Sequence, residues 1–355
     1  MERKHIKNTT LFGELPEELR GNEDDNVFKT DSTIEIYADE QFFKDYIVLG
    51  CLFVPVSQKE EIIKNLLNLR CLNEDSDEWV WEFEDCPNKR TCKAKWHTLN
   101  NTEIHFTELK NATAASKKIS RSWLEYLISL NKSGNPLRFN LLYIDLKNLS
   151  VEHFGSEKQH ENIYNKFFRT CISYGSKSFF DGRPIHIRKV YHDIASVEQH
   201  RFFPHLNLKK LEFQNGDEIL VEDPNIKFIE SDHKKADIMY REECQLIQLI
   251  DLILGSASQN ILNNATNQNK KEIAMVLRDL IDRLITNPSN VNSSYHYHRR
   301  QNISFWPSTK IEYSVIRQIG LDGSAMETKR DLFYRPLGLA MPKYNPNTKT
   351  LEDFL

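Results

Sequence analysis

Residues 245–256 read QLIQLIDLILGS, a run apolar enough for a buried helix, with Asp251 in its middle. A carboxylate taken out of water without a partner costs several kcal/mol or shifts its pKa until it is neutral. Cys244, Gln248, Asp251 and Gly255 fall at steps of four, three and four, which places them in one stripe of a helix. Leu and Ile fill most of the rest of 246–254, so this stripe is its polar or small face. Either Asp251 forms a buried salt bridge with an Arg or Lys, or it faces other acids around a cation.

Working outward, TIEIYAD (33–39) and YIVLGCLFV (46–54) read as two strands joined by the turn DEQFFKD, because β-branched and aromatic residues dominate both. SQKEEIIKNLLNLR (57–70) has helical spacing. The charged segment 71–101 reads as an insertion, with Trp79, Trp81 and Phe83 alternating as in a hairpin strand. EIHFTEL (103–109) reads as a short strand passing into a helix at 117–131, LRFNLLYID (137–145) as a long strand, and 162–175 as an amphipathic helix. PIHIRKVYHD (184–193) and NIKFIES (225–231) are further strands, and Ser231 and Asp232 resemble the N-cap of the final core helix. KKEIAMVLRDLIDRLIT (270–286) reads as one helix. Strands interleaved with helices in this order predict an α/β fold, a mixed sheet flanked by helices. The expected organisation is a polar arm over 1–30, a domain over 31–260 and a C-terminal extension over 261–355.

Three strands finish alike, as Tyr37-Ala38-Asp39, Tyr143-Ile144-Asp145 and Tyr191-His192-Asp193. Residues two apart share a strand face, so each Tyr packs below an Asp pointing the same way. Asp also ends strands for ordinary turn-forming reasons, but the conjunction points to convergence. Glu108 lies where a strand passes into a helix, while Glu40 is expected in a turn. Asp193 stands evenly between a fifth acid of the cluster and a turn former. Hard oxygen ligands without a set of His or Cys select Mg²⁺ or Mn²⁺. Two such ions about 4 Å apart suit in-line displacement at a phosphodiester. Cys71, Cys86, Cys92 and His97 lack a Cys-x2-Cys pair and have irregular gaps, which argues against structural zinc.

The pieces YADEQ, EIHFTELK, LLYIDLKN, VYHD and IESD followed by QLIQLIDLILG resemble the bacterial family called domain of unknown function 3800, whose members are similar to ribonuclease H-fold proteins. The match spans about residues 33–256. Its opening motif departs from the usual Asp-Glu-Ser-Gly, since Asp39-Glu40 is followed by Gln41-Phe42. The resemblance implies a ribonuclease H-like domain and a metal-dependent nuclease. It would put Asp39, Glu108, Asp145 and Asp251 around the metals, the order of acids being strand, helix start, strand, late helix.

Gln248 is expected to orient Asp251 or touch a ligand, and His192 and His105 flank carboxylates. Lys147, Arg188, Lys189, Lys234 and Lys235 are candidate phosphate contacts. The stretch YHYHRRQNISFW (295–306) offers rings beside cations for single-stranded bases, or a charged loop with buried aromatics. The 355 residues, 39% hydrophobic and 28% charged, suffice for a sizeable core. A net charge of -4 argues against a uniformly basic surface, so nucleic-acid contact would need local patches. No run approaches the roughly 20 apolar residues of a membrane span, no leader-like segment opens the chain, and the expected location is the cytoplasm with six reduced cysteines. The rival expectation is an inactive nucleic-acid- or protein-binding module, such as part of a defence or mobile-element system. A phosphatase acting on a small phosphoester is a third.

Overall fold

The computed structural model describes residues 33–43, 45–71, 79–87, 89–90, 92–132, 137–155, 159–180, 184–194, 207–285, 301–306, 311–319 and 325–332. The expected arm over 1–30 and the YHYHRR stretch at 295–300 lie outside them. Strands β1 (Thr33–Phe42), β2 (Tyr46–Pro55) and β3 (Arg138–Asp145) run antiparallel in succession. Strand β4 (Ile185–Asp193) returns parallel to β1, and the short β5 (Ile219–Val221) and β6 (Lys227–Ile229) both pair in parallel with β4. Strand β7 (Gln301–Trp306) adds in parallel beside β3, completing a seven-stranded mixed sheet. Strands β8 (Ile311–Ile319) and β9 (Ala325–Leu332) pair with each other in a second sheet.

Helices cover both faces. On one, α4 (Gln159–Phe179) and α5 (Asn207–Asn215) pack Phe167, Phe168, Ile172 and Leu208 against Ile34, Ile36 and Val190. On the other, α6 (Glu243–Leu262) lies across β1 and β2 and is itself covered by α1 (Lys59–Asn68), α3 (Ala114–Lys132), α7 (Gln268–Val276) and α8 (Arg278–Ile285). A helix enclosed on all sides has little use for polar residues, and Leu246, Ile247, Leu249, Ile250, Leu252 and Ile253 are each fully buried. Each such side chain contributes about 1.5–3 kcal/mol of transfer free energy. Every position of β3 is buried, as a strand with neighbours on both edges and helices on both faces requires. The architecture is thus α/β, a mixed sheet flanked by helices.

Four local expectations differ from the structure. Strand β1 runs on to Phe42, which places Glu40 in the strand with its side chain on the face opposite Asp39. The described residues of the insertion form no hairpin: Trp79 stacks on His97 at 4.7 Å and meets Trp81 edge-on at 6.4 Å, so the aromatic rings gather around α2 (Ala94–Asn100) rather than along a ladder. The helix expected over 270–286 breaks at Leu277, because α7 packs on α3 and the turn at Thr107–Asn111 whereas α8 packs toward β7. Finally, α6 starts at Glu243, so Ser231 and Asp232 sit in a separate turn; Ser231 Oγ donates to Glu103 Oε1 at 2.8 Å.

Candidate active site

The register of β1 against β4 sets the site. Ala38 lies beside His192 in parallel pairing, which puts Tyr37 next to Tyr191 and carries Asp39 alongside Asp193. The two tyrosine rings stack at 5.0 Å and 11°. Two of the three Tyr-x-Asp triplets therefore converge at the carboxyl ends of neighbouring parallel strands, where open α/β sheets commonly bind ligands. From above, α6 lowers Asp251 onto them, close enough for the Asp39 and Asp251 carboxylates to repel each other.

The third triplet goes elsewhere. Asp39 is level with Gly50 of β2, and Gly50 with Leu141 of β3, so Asp145 lies four residues farther along. That offset is about 13 Å along the strand and about 10 Å across two strand spacings. Asp145 instead closes a turn: Oδ1 accepts from the Lys147 N–H at 3.0 Å and Oδ2 from Asn148 Nδ2 at 2.7 Å. Glu108 does not join the buried cluster either, because its helix start is the 3-10 turn Thr107–Asn111, which leaves the side chain 63% exposed and 3.9 Å from Lys110 Nζ.

The segment before that turn carries an unexpected feature. Residues 103–106 make no strand ladder; their backbone donors go to side chains of α6. The Ile104 N–H donates to Gln248 Oε1 at 3.0 Å and the Phe106 N–H to Asp251 Oδ2 at 2.5 Å. Gly255 makes room for this approach, since a Cβ there would lie 2.2 Å from the Phe106 ring. The polar stripe of α6 thus grips a chain segment as well as facing the acids. Gln248 is fully engaged, accepting from Arg70 Nη2 at 2.6 Å and donating to the Ser231 carbonyl at 2.6 Å, so it positions the site rather than touching a ligand.

Arg70 is the residue that sequence reasoning missed. It is fully buried, donates to Gln245, Gln248 and the carbonyls of Asn100 and Thr102, and lies 4.8 Å from the Trp123 ring centroid. Burial lowers its pKa to about 9. No periodic signal marks it, because one Arg at a helix end looks like any surface residue.

Asp39, Asp193 and Asp251 are 6%, 8% and 4% exposed, and no Lys or Arg forms an ion pair with them among the described residues. The nearest cationic candidate is His105, whose Nε2 is 3.8 Å from Asp251 Oδ1. The Thr107 N–H donates to His105 Nδ1, which leaves the neutral ring's proton on Nε2, facing Asp251. Burial, followed by repulsion from Asp251, Asp193 and Glu40, raises the Asp39 pKa well above the ordinary carboxylate range. Burial likewise lifts Asp193 to about 6, with His192 opposing and Asp251 adding to the rise. Asp251 is raised by burial despite His105, the Phe106 N–H and Lys270. Asp193 Oδ1 is buried with no hydrogen-bond partner. Hard oxygen donors, one of them orphaned, fit a divalent cation in kind. As placed, however, no three His, Cys, Asp or Glu side chains among the described residues could together hold one ion.

Most of the remaining candidates have partners away from the acids in this arrangement. His192 is on the opposite face of the sheet from Asp39, 2.9 Å from Glu40 Oε2, with the Tyr164 hydroxyl donating to the same carboxylate at 2.8 Å. Lys147 pairs with Asp45, Lys189 with Asp223 and Lys235 with Asp232, whereas Lys234 lies exposed on the same turn as Lys235. Arg188 pairs with Glu35. Among the described residues Cys71, Cys86, Cys92 and His97 form no group placed to hold one ion, and His97 Nε2 is hydrogen-bonded to the Trp81 carbonyl at 3.1 Å. No helix among the described residues is long and apolar enough to cross a membrane.

The fold and site define the class: an α/β protein with buried acids at the carboxyl edge of a mixed sheet. No family model matches the chain, and no curated protein is significantly similar to it.

Proposed function

We propose that the chain is a metal-dependent nuclease with a ribonuclease H-like core, in which Asp39, Asp193 and Asp251 would supply carboxylates to Mg²⁺ or Mn²⁺ after side-chain movement, since as placed no three side chains among the described residues reach one ion. The observation that carries this reading is the gathering of three buried acids, from two adjacent parallel strands and a facing helix, with no ion pair to a Lys or Arg among the described residues. With Asp193 in place of Asp145, the order strand acid, strand acid, late-helix acid is kept. Divalent cations, when bound, supply Lewis-acid stabilisation of the charge that develops on a phosphodiester. The protein's own part is to keep these carboxylates dry and aimed. The Phe106 N–H fixes one oxygen of Asp251, Gln248 anchors Ile104 two residues earlier, and Arg70 holds Gln248.

The test is thermal melting with and without Mn²⁺, alongside cleavage of labelled DNA and RNA, for the natural chain, Asp39→Asn and Asp251→Asn. A ligand bound only to the native state raises the melting temperature. The natural chain is expected to show both responses and the variants neither; a natural chain that shows neither would sink the reading. The rival, a binding module without catalysis, draws on the same arrangement in which no three side chains reach one ion. It predicts nucleic-acid retention without cleavage or a metal-induced shift.

A further inference from the structure

A cavity of about 200 Å³ lies against the acidic centre. Leu99, Ile104 and Leu109 supply apolar wall, while Thr98, Thr102 and Ser116 supply hydroxyls. His105 forms the edge nearest the acids, since it also faces Asp251, and Glu108 follows it in the lining. Near that edge stands Lys270, on α7, with Nζ 5.5 Å from the Phe106 ring centroid. Its helix start is fastened in place: Asn267 Nδ2 donates to the Lys110 carbonyl at 3.3 Å, and Lys117 Nζ donates to Asn269 Oδ1 at 3.0 Å. Among the described residues Lys270 makes no ion pair, although the fields of both Asp251 and Glu108 reach it. Its pKa is lowered, by burial and by the neighbouring Lys110.

Size and charge restrict what enters. Pockets for whole drug-sized ligands run to about 300–1,000 Å³, so this cavity suits one unit of a longer molecule. Glu103 and Glu108 on its wall repel a phosphate but accept hydrogen bonds from sugar hydroxyls or amino groups. Lys270, over the Phe106 ring and within the field of the lining residue Glu108, attracts the phosphate that the walls reject. We propose that the cavity is a nucleoside subsite: it takes the sugar and base of one nucleotide, and the attached phosphate rests at Lys270 and Lys110 next to Asp251. This deepens the nuclease reading and rests on it for its role in cleavage, though binding itself needs no metal. A base lodged there cannot be paired, so the substrate presents a single-stranded or frayed nucleotide.

The experiment is an NMR-detected titration of the full chain in EDTA with inorganic phosphate and with the ribo- and deoxyribonucleoside 5′-monophosphates of the common bases. At least one mononucleotide should bind about tenfold more tightly than inorganic phosphate, a difference of about 1.4 kcal/mol. Lys270→Ala should weaken that mononucleotide about tenfold. Asn111→Trp, at an exposed position on the cavity rim, should remove the preference over phosphate while leaving the melting temperature unchanged. Mononucleotides binding no better than phosphate, or retaining their preference in a folded Asn111→Trp protein, overturn the proposal. Mononucleotide binding without Mn²⁺-dependent cleavage leaves the subsite standing and removes the nuclease reading; cleavage without mononucleotide preference does the reverse.

Discussion

Strand β1 carries two buried acids on one face, four residues apart, and the protein treats them in opposite ways. Glu35 is 2% exposed, and burial alone would raise its pKa. Lys59 Nζ at 2.9 Å, Arg188 Nε at 2.7 Å and the Tyr37 hydroxyl at 2.9 Å instead hold it below the ordinary range. The network continues through Lys59 to Glu243 of α6 at 2.7 Å. Asp39, as deeply buried, meets two further carboxylates and no lysine or arginine. The desolvation problem is alike at both ends, but only the Glu35 end is solved within the chain. An acid cluster left unneutralised keeps its desolvation cost in the metal-free fold, whereas a neutralised one is part of the framework, and this difference supports the proposed metal role of the Asp39 end.

The contrast can be broken most forcefully at its paired end. Lys59→Met leaves Glu35 and Glu243 short of their shared cation and should cost about 3 kcal/mol in urea unfolding, while the Mn²⁺ response survives. The next largest effect is on pH dependence without metal. Asp193 has a raised folded pKa, about 6 against 3.8, so its neutral form favours the folded state. That contribution is full below pH 3.8 and is lost as pH rises through about 6, amounting to about 3 kcal/mol. Glu35 has a lowered folded pKa, so its contribution is present above 4.5 and is lost as pH falls through the folded value. Melting should therefore be easier on both sides of an optimum near pH 4–5, and Mn²⁺ should lift the alkaline side. A curve that only rises to pH 7 in EDTA would contradict the unbalanced cluster.

Smaller again, Asp251→Asn should stabilise the metal-free protein at pH 7 by about 1–2 kcal/mol, by removing one repelling charge. The asparagine keeps an acceptor for the Phe106 N–H. Destabilisation instead would mean that Asp251 is a framework acid like Glu35. Asp145→Ala is the mildest, costing about 1 kcal/mol through the lost turn bonds, with the Mn²⁺ shift unchanged. Loss of that shift would return Asp145 to the site.

Much of the site was legible because its signals are local. The Tyr-x-Asp triplets mark Asp39 and Asp193, and the helical stripe marks Asp251. The third triplet, at Asp145, carries the same local signal, but inclusion in the cluster depends on register between strands, and pairing offsets leave no trace in one strand's own sequence. Glu108 fails for a related reason. The residues near it do reach the site, but through a backbone N–H, which any residue type supplies. Gln248 was recognised as polar on a buried face, yet its partners, Arg70, Ile104 and Ser231, lie far away in the chain. The insertion misled because alternating aromatics suit a strand and equally suit packing on one buried histidine, His97.

The grip of α6 on the Ile104–Phe106 segment has a consequence in time. A chain emerges from the ribosome amino end first, and its domains fold as units. Strands β1 and β4 are complete once residue 193 has been made, but Asp251 follows on α6, and only then do Ile104 and Phe106 find their acceptors. The acidic centre of a nascent chain is therefore incomplete until α6 has been made, and the helix that brings its third acid also fastens the Ile104–Phe106 segment.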